Sequence, residues 1–278
     1  MKDKKINVAC IQTQPKMCQK EYNLNHMQEL LINTMKKNPN TQLIVFPELA
    51  TTGYQCQDEF YNMAEVADEE SFSVKIMSEL ARKYNVYIIY GMAEQDPLNK
   101  KIIYNSQMFI DNKGDILGTY RKVHLFDSEK SWFTPGSEFK VFNTDIGRIG
   151  LFICYDAFFP EVARILAIKG VDLLVNSTNW EKPYDYDMDM VMSARALENT
   201  VYLACCNRIG EDTTLGFFGH TRILNPLGQV ISKVDEEVEG IAYATIDYAK
   251  SKSMKKEYYT MLTERRPELY SQLSDISM

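Results

Sequence analysis

Histidine is scarce in this chain, its cysteines come without paired spacing, and no stretch of it is long and apolar. Only His26, His124 and His220 occur in 278 residues, so metal sites built on clustered imidazoles have little to draw on. The six cysteines, at positions 10, 18, 56, 154, 205 and 206, form no CxxC pair and no zinc-type spacing, and they read as free thiols of a reducing cytosol. No apolar run reaches the roughly 18 residues that a membrane-spanning helix needs. The basic start, Met1 to Cys10, leads into a short strand-like run broken by Gln12 and Gln14, unlike a signal-peptide core. A net charge of −7 argues against nucleic acid as a partner, because phosphate binding needs a concentrated basic face. Gly/Ser linkers, low-complexity tracts and internal repeats are also missing, which leaves one domain over 1–262 and a polar C-terminal arm over 263–278.

What remains has ordinary globular composition, 45% hydrophobic and 25% charged. Short β-type runs alternate with longer amphipathic ones, the pattern of a layered α/β domain. Strands are expected over 6–12, 43–46, 86–91, 171–175 and 201–207. Helices are expected over 22–37, with Leu24, Met27, Leu30, Leu31 and Met35 on one face, and over 71–84, 160–168 and 184–198. Residues 102–125, turning at Asp111-Asn112-Lys113-Gly114, read as an antiparallel hairpin. The runs 219–224, 229–233 and 240–246 read as a closing antiparallel set around Asn225-Pro226-Leu227-Gly228. Cys205 and Cys206, inside an apolar run, are expected to be packing residues.

The run Gly150-Leu151-Phe152-Ile153-Cys154-Tyr155-Asp156 delivers one cysteine to the end of an apolar strand, just before helix-starting residues. Such a strand-to-helix elbow projects a side chain out of the sheet and aims backbone N–H groups and a helix dipole at the sulfur, favouring thiolate. A buried structural cysteine is the competing reading. A nucleophile also needs a base, an oxyanion donor and a proton for the leaving group. His26 lies on a helix as a solvated residue, while His220 borders a glycine-rich loop and is open to either role. Glu48 offers a better base: it follows the apolar strand Leu43 to Phe46, where an acid is costly unless paired or working. In Tyr120-Arg121-Lys122-Val123-His124, strand alternation would put Lys122 and His124 on one face.

Phe46-Pro47-Glu48, Tyr120-Arg121-Lys122-Val123-His124 and Ile153-Cys154-Tyr155-Asp156, in that order, resemble the nitrilase superfamily of carbon–nitrogen hydrolases. The likeness continues through Phe159-Pro160-Glu161, Arg195-Ala196-Leu197-Glu198-Asn199, Asn207-Arg208, Asn225-Pro226-Leu227-Gly228 and Arg265 to Tyr270. The resemblance implies a four-layer α-β-β-α sandwich with mixed sheets and a triad of Glu48, Lys122 and Cys154. It implies a second glutamate after the lysine, assigned to Glu129 with Asp127 as a neighbouring competitor. It also implies a homodimer joined through 160–169 and the region past Met261, with no cofactor and no metal.

On this reading Lys122 and the Tyr155 backbone N–H hold the oxyanion, and Tyr54, Trp132, Trp180 and Tyr184 are candidates for the substrate-pocket wall. After the nucleophile, Asp156-Ala157-Phe158-Phe159 lacks the arginine with which some relatives grip a substrate carboxylate. The segment Asn179 to Tyr186 is similar to amidase branches. Asp185, Asp187 and Asp189 fit either the first turn of a helix or a cation. A small-molecule amide is therefore the first expected substrate, an N-carbamoyl amine the second and a nitrile the third. A papain-like Cys–His hydrolase and a catalytically silent binding protein are the alternatives of another kind.

Overall fold

The computed structural model describes residues 4–274; the last four residues of the expected arm lie outside the described residues. The first half runs β1 (Lys5–Gln12), α1 (Lys20–Lys37), β2 (Leu43–Val45), α2 (Phe60–Met63), β3 (Glu65–Val66), α3 (Phe72–Tyr84), β4 (Tyr87–Gln95), β5 (Ile103–Ile110) and β6 (Ile116–Arg121). It continues with β7 (Val141–Thr144), β8 (Gly147–Ile153), α4 (Pro160–Ile168), β9 (Leu173–Thr178), α5 (Asp185–Leu197) and β10 (Tyr202–Asn207). The chain closes with β11 (Ile209–Glu211), β12 (Gly216–Phe218), β13 (Arg222–Leu224), β14 (Val230–Lys233), β15 (Gly240–Asp247) and α6 (Tyr248–Glu257).

Two sheets carry the fold. One has the order β15-β1-β2-β4-β5-β6, with β3 on β4, and the other β14-β13-β10-β9-β8-β7. Each is parallel at its centre, β1-β2-β4 and β8-β9-β10, and antiparallel towards its edges. The parallel strands are nearly continuous apolar runs because both of their faces are covered. Val8, Leu43, Val45 and Ile89 of one sheet meet Leu151, Val175, Leu203 and Cys205 of the other in one core. Leu24, Met27, Leu31 and Met35 of α1 and Val74 and Met77 of α3 close the outer face of the first sheet. Helices α4 and α5 bury Val162, Leu166, Met188 and Met192 on the second sheet. The result is the α-β-β-α sandwich, with mixed sheets.

The ends of the elements differ from expectation where the chain turns towards the site. The hairpin strand stops at Arg121, and just beyond it the Lys122 N–H still reaches the neighbouring strand, at Asn105 O (2.8 Å). The alternation expected for Lys122 and His124 therefore does not apply: Lys122 is fully buried while His124 is half-buried. Helix α6 escaped the sequence reading because it lacks an apolar stripe. Only Tyr248 and Ser251 of it are buried, and Asp247 caps it by accepting from Ala249 N (3.0 Å).

Candidate active site

The site lies beyond the carboxyl ends of the central parallel strands, where an open α/β sheet leaves a crevice. β2 leads through Phe46 and Pro47 to Glu48, and β4 crosses directly beneath this turn. A Cβ placed on Gly91 would come 2.2 Å from Leu49 N and 2.5 Å from Pro47 O, so only glycine lets the two backbones meet. The same device holds Lys122, since a Cβ on Gly136 would stand 2.2 Å from Arg121 O, and Gly136 N donates to Lys122 O (2.8 Å). Cys154 heads a short 3-10 turn after β8 and carries a left-handed φ of 43°. A non-glycine residue held there is strained, as residues at active sites often are.

Lys122 bridges two carboxylates, donating to Glu48 Oε1 at 2.8 Å and Glu129 Oε1 at 2.7 Å, and all three side chains are buried. Asp127, the neighbouring competitor, is exposed. Glu48 is fixed further by Asn105 Nδ2 on Oε1 (2.7 Å) and Asn179 N on Oε2 (2.8 Å). Tyr54 donates its hydroxyl to Glu129 Oε1 (2.7 Å), and Phe126 N donates to Glu129 Oε2 (3.2 Å). Burial opposes the Lys122 charge, yet Glu129 and then Glu48 outweigh it and lift the ammonium well above its ordinary range.

Cys154 behaves differently from the expected thiolate. Burial first, then the charge of Glu48, pushes its thiol well up, while Lys122 pulls the other way. The helix expected to aim its dipole at the sulfur starts only at Pro160, after the 3-10 turn. A thiolate would add a third anion beside Glu48 and Glu129 with one ammonium among them, which disfavours it.

Sequence reasoning passed over Asp156, which is sealed from solvent. It accepts from Tyr120 OH (2.8 Å), Ile153 N (3.0 Å) and His124 N (2.9 Å), and its Oδ1 lies 2.8 Å from His124 Nδ1. One carboxylate thus ties the Cys154 elbow to the strand end bearing Lys122. An acid two residues past the cysteine in an apolar context was the available signal. Asn105 and Asn179 gave none, since the contacts that define them come from distant strands.

A cavity of about 260 Å³ opens over Cys154, walled by Phe126, Tyr155, Phe158, Trp180 and Tyr184. Of the proposed wall residues, Trp180 and Tyr184 thus face it, and so does Tyr155, expected at the site for its backbone N–H. Tyr54 stands behind, on Glu129, and Trp132 points its indole N–H to Asp58 (3.2 Å). None of the histidines hydrogen-bonds Cys154: His26 meets Glu239 (2.7 Å), His124 meets Asp156, and His220 packs edge-on against Phe218. A Cys–His arrangement therefore has no support in the geometry. Among the described residues no three His, Cys, Asp or Glu side chains are grouped to hold a metal ion, and no helix is long and apolar enough to cross a membrane.

A layered α/β fold with a half-buried cysteine, a buried lysine and two buried glutamates at one crevice is an arrangement suited to thiol chemistry. A carbon–nitrogen hydrolase from Helicobacter pylori has the same fold over 97% of this chain and 98% of its own, with a TM-score of 0.89 and 28% identity. The carbon–nitrogen hydrolase pattern matches residues 7–256. Among curated proteins, a probable nitrilase of Schizosaccharomyces pombe is 49% identical over 97% of this chain and 98% of its own. A nitrilase of Pyrococcus abyssi is 35% identical over 95% and 99%. The chain belongs to the carbon–nitrogen hydrolase family, within the nitrilase superfamily.

Proposed function

We propose that the protein is an amidase that cleaves the C–N bond of a small, non-peptide amide through a thioester on Cys154. The observation that carries this reading is the bridge of Lys122 between Glu48 and Glu129 beside Cys154. Glu48 takes the thiol proton as sulfur attacks the carbonyl carbon, and the C=O π pair moves onto oxygen. The oxyanion is met by the Lys122 ammonium and the Tyr155 N–H as preorganised donors. When the tetrahedral species collapses, the C–N bond breaks and the proton held by Glu48 leaves with ammonia or the amine. Water then adds to the thioester with Glu48 again as base, and the acid departs as the thiol is restored. Glu129 keeps Lys122 charged and in place.

Because the site disfavours a free thiolate at Cys154, proton removal and attack belong to one step, and a base hydrogen-bonded on both oxygens suits that demand. The two relatives carry the name nitrilase, and sulfur addition to a nitrile carbon needs the same groups, so a nitrile is the second reading; an N-carbamoyl amine fits the same chemistry. Ammonia release from a panel of small amides, N-carbamoyl compounds and nitriles tests the order. Turnover of amides supports it, and ammonia from nitriles alone overturns it. The proposal includes a homodimer, since the exposed apolar residues Ile168 on α4 and Leu269 and Leu273 in the arm lie in the segments expected at an interface. Six free cysteines suit a reducing cytoplasm.

A further inference from the structure

The cavity over Cys154 has an acidic, aromatic far wall with no cation in it. Its charged lining residues are Glu181 and, exposed in the first turn of α5, Asp187, and neither forms an ion pair among the described residues. The nearby basic residues are engaged elsewhere. Lys122 is held between Glu48 and Glu129, Lys182 pairs with Glu237 at 2.6 Å on the outside, and Arg222 pairs with Asp189. Glu181 is half-buried; burial holds its carboxyl above the usual range, and Glu48 adds to this against its own backbone amide and Lys122. A carboxylate in that position gains from an opposite charge brought in by a ligand.

The rest of the wall agrees. Phe126 and Tyr155 have ring centroids 5.0 Å apart, Tyr155 and Phe158 5.6 Å, and Phe158 and Trp180 5.0 Å, which makes one continuous aromatic surface. The face of such rings attracts an ammonium. At the reacting end, the hydroxyl of the fully buried Thr178 faces the Cys154 sulfur. An anionic tail would meet two unpaired carboxylates, and a neutral tail would leave Glu181 desolvated without recompense. A cationic tail satisfies both the acids and the rings.

We infer that the substrate is a small amide or N-carbamoyl compound bearing a primary ammonium a few carbons from the scissile bond, held by Glu181, Asp187 and the aromatic wall. This rests on the amidase reading for the reacting end only. The test compares ω-aminoalkanamides, alkanamides and ω-carboxyalkanamides of three to five chain carbons. The ammonium series is expected to exceed the neutral one by about tenfold or more in kcat/KM, the effect of a charge-assisted contact out of bulk water, with the carboxylate series slowest. In Glu181→Gln, and further in Glu181→Gln/Asp187→Asn, the ratio of ammonium to neutral substrate falls towards one. Equal or better use of the carboxylate series, or a ratio unchanged in the double variant, overturns the inference. Calorimetry of the same compounds on Cys154→Ala separates the two proposals. If no amide is hydrolysed, the amidase reading fails while preferential ammonium binding still supports the pocket, and equal binding of all three series overturns it.

Discussion

Tyr120 donates its hydroxyl to Asp156 at 2.8 Å, with both side chains closed off from solvent. Tyr120 belongs to β6 and Asp156 to the turn after β8, in different sheets, so this bond sets the strand end carrying Lys122 against the elbow carrying Cys154. Burial and then Asp156 push the phenol well above its ordinary range, which keeps it a donor. Asp156→Asn replaces one accepting oxygen by an NH2 donor facing groups that themselves donate, and is expected to cost about 2–4 kcal/mol of stability. Tyr120→Phe is expected to cost about 1–2 kcal/mol. Denaturant melts read both values, and a loss below roughly 0.5 kcal/mol for Asp156→Asn, the range of a surface change, contradicts the tie.

Removing the charge of Glu48 is expected to have opposite effects on the thiol and on turnover. Its charge stands second only to burial in raising Cys154, so in Glu48→Gln the thiol ionises at lower pH and iodoacetamide alkylates Cys154 faster at mildly alkaline pH. Turnover nevertheless falls, by roughly 10²–10⁴-fold for the loss of a general base. Thiolate absorbance against pH, set beside ammonia release, tests the pair. An unchanged or raised Cys154 titration, or retained turnover, counts against Glu48.

Glu129 and Tyr54 act through Lys122. Glu129→Gln removes one of the two charges that keep the ammonium well raised, and kcat is expected to drop roughly 10²–10³-fold, as when an oxyanion donor is lost. Tyr54→Phe removes only the hydroxyl that holds Glu129 Oε1 and is expected to cost about tenfold, the equivalent of one hydrogen bond. A Tyr54→Phe loss as large as that of Glu129→Gln in steady-state assays would contradict this ranking.

Much of this was legible in the sequence where an element is both locally favoured and packed. Pro160 opens α4 at its N-terminus, where its missing N–H costs nothing, and that helix runs over Pro160–Ile168 as expected. Apolar 43–46 and 201–207 hold the sheet centres because both faces are covered. Glu48, Lys122, Glu129 and Cys154 were legible through a family likeness, and the structure brings them together. What the sequence hid is set by tertiary contact. Asp156, Asn105 and Asn179 are polar residues whose partners come from other strands, and the upward shift of Cys154 comes first from burial and then from Glu48 and Glu129, both well before it in the chain.

The proposed dimer is expected to use the apolar surface of α4. Ile168 is 50% exposed, and Arg265 and Tyr270 of the arm lie within electrostatic reach of Arg164 on the same helix. Ile168→Asp places a charge in an apolar contact and is expected to shift a dimer towards monomer in analytical ultracentrifugation. A monomeric native protein at micromolar concentration contradicts this part of the proposal.

The central claim is that Cys154 carries the acyl group, and rapid-quench mass spectrometry of the enzyme with a turned-over amide tests it most directly. The account predicts the acyl mass on the peptide containing Cys154, absent from the other five cysteine positions, with Cys154→Ala inactive. Ammonia released by Cys154→Ala at the native rate, or an acyl group on any other residue, would contradict it.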